Sequence, residues 1–121
     1  MPGKVYRTAI YCRLSREDGD KVESNSIASQ RAICEDYIAR HDDLEIVCEP
    51  FVDDGYSGVS FNRPNFKKLE DAIRKGAIDC IVVKDLSRFS RNYIDGGRYL
   101  EKIFPQLGIR FIAVNDAYDS R

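Results

Sequence analysis

Serines and arginines recur at three places in this sequence, at spacings that could bring their side chains together. Tyr11, Arg13 and Ser15 alternate along an apolar run, so an extended backbone turns all three to one side. Asp53 and Asp54 are followed by Ser57 and then by Arg63. Asp85, Ser87, Arg88, Ser90 and Arg91 form the third group, and a helical turn there would point the guanidiniums of Arg88 and Arg91 the same way. A serine hydroxyl among guanidiniums suggests chemistry on a phosphate, because the planar, permanently charged arginine fork matches phosphate oxygens bidentately. In phosphoryl transfer one such arginine can contribute ~10³–10⁵ in rate, so several could do what Mg²⁺ does elsewhere. Taken singly, each residue has an ordinary alternative. Arg88 could be solvated or paired with a nearby aspartate, Ser15 and Ser57 could be turn residues, Tyr11 could be core and Gln30 a surface helix residue. Only convergence gives the reading weight.

Convergence requires elements that end at a common rim. Short apolar runs alternate with helical periodicity, which predicts an α/β domain of three layers with a mostly parallel sheet of four to five strands flanked by helices. Arg7–Arg13 is the first expected strand, and Glu17-Asp18-Gly19-Asp20 a loop. Ser24, Asn25 or Ser26 caps a helix running to about Arg40, with Ile27, Cys34, Tyr37 and Ile38 on its inner face. Glu45–Asp53 is a second strand whose Pro50, lacking an N–H, indicates an edge. Asp54-Gly55-Tyr56-Ser57-Gly58 is a turn-rich loop. Pro64 opens a helix with Phe66, Leu69, Ala72 and Ile73 on one side, ended by Gly76. Asp79–Lys84 is apolar throughout its middle, as a central strand covered on both faces should be. A helix from about Asn92 carries Tyr93, Gly97, Leu100 and Phe104, is distorted near Pro105 and closes at Gly108. Ile109–Val114 is the last strand expected. In open parallel sheets ligands bind beyond the carboxyl ends of the strands, which is where the three polar groups fall.

Composition bounds the alternatives. The 121 residues suit one domain, and 43% hydrophobic with 32% charged residues describes a globular chain. Nineteen Lys and Arg against 20 Asp and Glu leave a net charge of −1, which argues against a polybasic nucleic-acid binder while leaving a local arginine cluster open. No apolar segment is long enough to span a bilayer, and no signal peptide is expected. Cys12, Cys34, Cys48 and Cys80 form no C-x-x-C pair, and with His41 the only histidine a zinc site is not indicated; four reduced, buried thiols in the cytoplasm are expected. The final Asp119-Ser120-Arg121 has no terminating pattern, so a longer protein is expected.

The same residues resemble a known family. Tyr11-Cys12-Arg13-Leu14-Ser15 is similar to the Tyr-x-Arg-x-Ser signature of serine site-specific recombinases, the resolvase/invertase group. Ser26-Ile27-Ala28-Ser29-Gln30 resembles their Ser-Leu/Ile-x-x-Gln segment, and Asp54-Gly55-Tyr56-Ser57-Gly58 with Arg63-Pro64 their Asp-x-x-Ser-Gly…Arg-Pro segment. Leu86-Ser87-Arg88-Phe89-Ser90-Arg91 resembles their Leu-Asp-Arg-Leu-x-Arg motif. The four blocks occur in order between Tyr6 and Asp119, in wording closest to the large serine recombinases of mobile elements.

The resemblance implies that residues 1–121 form a catalytic domain whose oligomerisation helix and DNA-binding region lie elsewhere, so that this piece is incompetent alone. Ser15 would attack double-stranded DNA to give a 5′-phosphoserine link and a free 3′-hydroxyl, with no metal or other cofactor. Arg13, Arg63, Arg88 and Arg91 would surround the phosphate, and Tyr11, Gln30 and Ser57 would orient them or touch it. No general base for Ser15 is evident; the guanidiniums would lower its pKa, and one would serve as acid for the leaving oxygen. Self-association into dimers or tetramers, and a bacterial cytoplasmic location on the nucleoid, are further implications. One departure stands out. Ser87 occupies the place of the family's aspartate before the first arginine, with Asp85 two residues earlier, and Asp85 is not expected to replace it fully. The competing readings are a non-enzymatic anion- or nucleotide-binding module, which lacks both glycine-rich phosphate motifs, a serine hydrolase, which lacks a suitable histidine, and a recombinase decayed into an assembly module.

Overall fold

A computed structural model describes residues 3–14, 26–57 and 59–121. The Glu17–Asp20 loop, the alternative caps Ser24 and Asn25, Gly58 and the candidate nucleophile Ser15 lie outside those residues. The first strand, β1 (Tyr6–Leu14), is followed by helix α1 (Ile27–Ala39), whose cap is Ser26; its Oγ accepts the Ser29 N–H at 3.1 Å. The expected second strand is two short ones, β2 (Leu44–Ile46) and β3 (Phe51–Asp54). Both run parallel to β1 on the same side of it, β2 against Tyr6–Thr8 and β3 against Tyr11–Leu14. Pro50, which has no N–H to give the ladder, lies in the break between them, at the sheet edge where the sequence placed it.

Pro64 then begins helix α2 (Pro64–Arg74), and the apolar run Cys80–Val83 forms β4 between β1 and β5 (Arg110–Ala113), buried along its whole length. A single turn, α3 (Leu86–Phe89), leaves the end of β4. The following helix starts as α4 (Tyr93–Arg98), capped by the Asn92 carboxamide, which accepts the N–H groups of Ile94 and Asp95 at 3.0 and 3.1 Å. It widens to a π-helical turn over Tyr99–Ile103 and resumes as α5 (Phe104–Leu107). The distortion expected at Pro105 is therefore taken up in the preceding turn, where the Phe104 N–H reaches back to the Tyr99 carbonyl. This advances the inner face, and Tyr99, Leu100, Ile103 and Phe104 pack on the core. Gly108 closes the helix at φ 70°, a conformation that favours a residue without Cβ.

One strand was not anticipated. Tyr118–Asp119 forms β6, antiparallel to β5, and completes a sheet of order β2/β3–β1–β4–β5–β6. Alternation along the strands separates two apolar layers. Ile10, Cys12, Cys80, Val82 and Ile112 meet Cys34 and Ile38 of α1 on one side. Ala9, Tyr11, Ile81, Val83 and Phe111 meet Phe66, Leu69, Ile73, Phe89 and Phe104 on the other. Fully burying one such phenylalanine contributes roughly 1.5–3 kcal/mol. Cys12, Cys34 and Cys80 are buried free thiols, and burial pushes Cys12 and Cys80 up to about 12. Cys48 departs from expectation in being only half-buried. No helix among the described residues is long and apolar enough to cross a membrane.

At the edge away from the polar groups, β6 is clamped by charge. Arg110 donates from Nε and Nη2 to the two Asp119 oxygens at 2.9 and 2.6 Å, and from Nη1 to Asp43 at 2.7 Å. Hydrogen bonds from Arg110 hold both carboxyls below their ordinary value of 3.8. A depressed carboxyl pKa contributes stability that is present above the unfolded value and lost as pH falls through the folded one. The stability advantage of the wild type over Arg110→Met should therefore shrink as pH drops from about 5 toward 2. Urea titrations across that range check it, and a gap that stays constant would show that the clamp does not depend on ionised carboxylates.

Candidate active site

The parallel strands β1, β3 and β4 end on one edge, and the segments leaving them meet there. Among the described residues, three of the largest fully enclosed side chains are arginines of this edge: Arg13 and Arg63 are 0% exposed and Arg88 is 1% exposed. Burying a guanidinium is unfavourable unless its donors are used. Arg13 extends from β1 and donates to three backbone carbonyls, Nε to Arg88 at 3.2 Å, Nη1 to Tyr56 at 2.9 Å and Nη2 to Ser87 at 2.6 Å. One side chain thus ties the segment after β3 to the segment after β4.

Arg63 immediately precedes α2 and performs a similar task. Its Nε donates to the carbonyls of Ser60 at 2.8 Å and Ser57 at 3.3 Å, and its Nη1 to that of Phe89 at 2.5 Å. Its guanidinium lies 4.7 Å from the centre of the Phe61 ring. The Ser57 hydroxyl accepts the Val59 N–H at 3.1 Å, closing its own turn. Gln30, expected from its polarity to be a surface residue if it has no special role, is 0% exposed. It sits one turn before Cys34 and two before Ile38, on the inward stripe of α1. Its Oε1 accepts the Arg13 N–H at 3.1 Å and its Nε2 donates to the Arg13 carbonyl at 2.9 Å, so the amide pairs with the end of β1 as a neighbouring strand would.

Tyr11 donates from its hydroxyl to Asp53 at 2.8 Å, and Arg63 Nη1 lies 3.5 Å from that hydroxyl. Burial raises the phenol well above its usual value, so it remains a protonated donor. Asp53 itself, noted in the sequence only as following a strand, is an organising residue. At 1% exposure it accepts the N–H groups of Asn65 at 3.0 Å and Phe66 at 2.9 Å, capping α2 where Arg63 offers no side-chain cap. A carboxylate has acceptors on both oxygens, whereas an amide would turn an NH₂ toward one of these donors. Asp53→Asn should therefore cost about 1–3 kcal/mol in urea unfolding. A loss below about 0.5 kcal/mol would mean that these donors find other partners.

Arg88 and Arg91 do not share a helical face. α3 ends at Phe89, Ser90 is extended at φ −159°, and Arg91 is exposed while Arg88 is buried. The substitution at position 87 does not leave Arg88 adrift: its Nε and Nη2 donate to Ser87 Oγ at 3.3 and 3.2 Å and its Nη1 to the Arg13 carbonyl at 2.8 Å. The edge therefore gathers two bonded sets side by side, Tyr11, Ser57 and Arg63 in one and Arg13, Gln30, Asp85, Ser87 and Arg88 in the other. No group of His, Cys, Asp or Glu side chains that could hold a metal occurs among the described residues.

Comparison with known proteins agrees with this architecture. A family model described as "Resolvase, N terminal domain" matches residues 8–121. The N-terminal catalytic domain of TP901-1 integrase is similar with a TM-score of 0.81 and 27% identity, over 94% of this chain and 81% of that one. A resolvase family site-specific recombinase from Streptococcus pneumoniae gives 0.74 and 29%, over 95% and 76% of the two chains. A protein of Bacillus subtilis (strain 168) named "Putative DNA recombinase" is 31% identical over 87 residues, 72% of this chain but 16% of that protein's length. With its sheet, its arginine-bound edge and a family match over nearly all of its length, the chain belongs to the resolvase group of serine site-specific recombinases.

Proposed function

We propose that residues 1–121 act as the catalytic domain of a longer recombinase that breaks and rejoins double-stranded DNA through a 5′-phosphoserine intermediate. The observation that carries this reading is the meeting of three arginines at one edge: Arg13 and Arg63 each bond the segments that leave β3 and β4, and Arg88 bonds the end of β1. Ser15 follows the end of β1 by one residue and is the nucleophile. Its oxygen bonds to phosphorus as the bond to the 3′-oxygen breaks, its proton is released, and the departing oxygen takes up a proton to become a 3′-hydroxyl. The diester is replaced by another phosphate ester of similar energy, so reversal onto a new 3′-hydroxyl rejoins strands without ATP or a metal.

In this reading Arg13, Arg63, Arg88 and Arg91 counter the charge that gathers on the phosphate, while Tyr11, Gln30, Ser57, Asp85 and Ser87 hold them. Arg91 is exposed in the arrangement described, whereas the other three are buried. Binding a phosphate therefore requires these arginines to exchange some of their present acceptors for phosphate oxygens. Assembly into dimers and tetramers and the affinity for DNA belong to the longer protein, consistent with the near-neutral charge of this piece. The setting is the bacterial cytoplasm, on the nucleoid. The test is incubation of the full-length protein with duplex DNA carrying its recombination site, followed by denaturing electrophoresis. A protein–DNA adduct with a free 3′-hydroxyl is expected; recombination without any adduct, trapped or transient, would overturn the mechanism.

A further inference from the structure

We propose that Asp85, acting through the hydroxyl of Ser87, is a positioning residue for Arg88. The Ser87 oxygen accepts from Arg88 Nε at 3.3 Å and from Nη2 at 3.2 Å, so one edge of the guanidinium faces it. An oxygen can receive two donors this way only if its own proton points elsewhere, and the Ser87 hydroxyl donates to Asp85 Oδ1. That carboxylate oxygen also accepts the Arg88 N–H at 3.3 Å and lies 3.7 Å from Arg88 Nε. Asp85 thereby does two things: it caps α3, and it fixes the hydroxyl rotor so that the lone pairs of Ser87 face the cation. The third nitrogen of the fork, Nη1, donates to the Arg13 carbonyl at 2.8 Å. Arg88 is locked in the plane between a strand end and a relayed charge.

The relay can be separated from the cap. Asp85→Asn keeps an oxygen for the cap, since asparagine caps as well as aspartate, and for the Ser87 hydroxyl, which shares it, so it removes only the charge; Ser87→Ala removes the hydroxyl and leaves the cap. Adding Ser87→Asp to that variant returns a carboxylate to the place where the Ser87 oxygen lies beside both guanidinium nitrogens. The first readout is hydrogen exchange of the Arg88 Nε–H in this chain, followed by NMR with labelled arginine, with thermal stability measured alongside. Ser87→Ala should speed that exchange about tenfold or more, as expected for loss of one charge-assisted hydrogen bond, and Asp85→Asn should speed it to a smaller extent by removing the charge behind the acceptor. Melting should change little in Asp85→Asn and fall in Ser87→Ala, which leaves two buried guanidinium donors without their acceptor, and the double variant should restore protection. Unchanged exchange in Asp85→Asn, or failure of the double variant to recover it, would overturn the relay. The second readout is adduct formation by the full-length protein, because the inference rests on Arg88 serving the phosphate. Cleavage that falls and recovers in step with exchange supports both. Cleavage that ignores exchange in every variant would leave the relay standing and remove Arg88 from the proposed chemistry.

Discussion

Replacement of Ser15 by alanine in the full-length protein is expected to abolish the covalent DNA adduct while leaving the fold and DNA binding intact. Removing a nucleophile eliminates the bond-making atom rather than weakening a contact, so the loss should reach at least ~10³-fold and be limited by detection. The measurement is adduct yield under denaturing conditions, paired with a binding assay on the same duplex. Persistent adduct in the variant would transfer the role to another hydroxyl, for which Ser57, Ser87 and Ser90, on the segments that leave β3 and β4, are the serines to examine. Loss of binding in proportion to cleavage would instead mean that the serine serves recognition.

The second large effect concerns stability. Arg13→Ala removes a wholly enclosed side chain and leaves the carbonyls of Tyr56, Ser87 and Arg88 without their present donor. The expected cost is about 3–5 kcal/mol, a large part of the ~5–15 kcal/mol that a domain of this size has in hand. Lysine should rescue little, because its ammonium is a point donor and cannot span three carbonyls as the planar fork does. Urea unfolding of both variants, with far-ultraviolet dichroism, gives the answer. A penalty below about 1 kcal/mol for Arg13→Ala would show that water readily replaces the guanidinium and that the two segments do not depend on it.

How much of this was legible in the residues depends on what each signal measures. The Cys80–Val83 run, the Pro64 helix start and the three-and-four spacing of Phe66, Leu69 and Ile73 report burial directly, and those elements appear where expected. The convergence at the strand ends follows from parallel topology, which the alternating pattern also revealed. Gln30 was harder to place: its position on the Cys34–Ile38 stripe marks it as inward, while its polarity points outward, and only the open peptide of Arg13 decides between them. The helical alignment of Arg88 and Arg91 failed because α3 lasts a single turn, too short for periodicity to register its end. β6 escaped for the same reason, being two residues long and held by Arg110 rather than by an apolar pattern of its own. The break between β2 and β3 was announced by Pro50, which signals an edge but not how far the ladder is interrupted.

The amide of Gln30 couples parts of the molecule that no strand connects. Both polar atoms of the Arg13 peptide are engaged by one side chain of α1, so that helix is welded to the tip of β1 just ahead of position 15. A tug on α1 is therefore transmitted to the tip, as a lever passes load to its fulcrum. Whatever displaces α1 must carry the end of β1 with it or break both of these bonds.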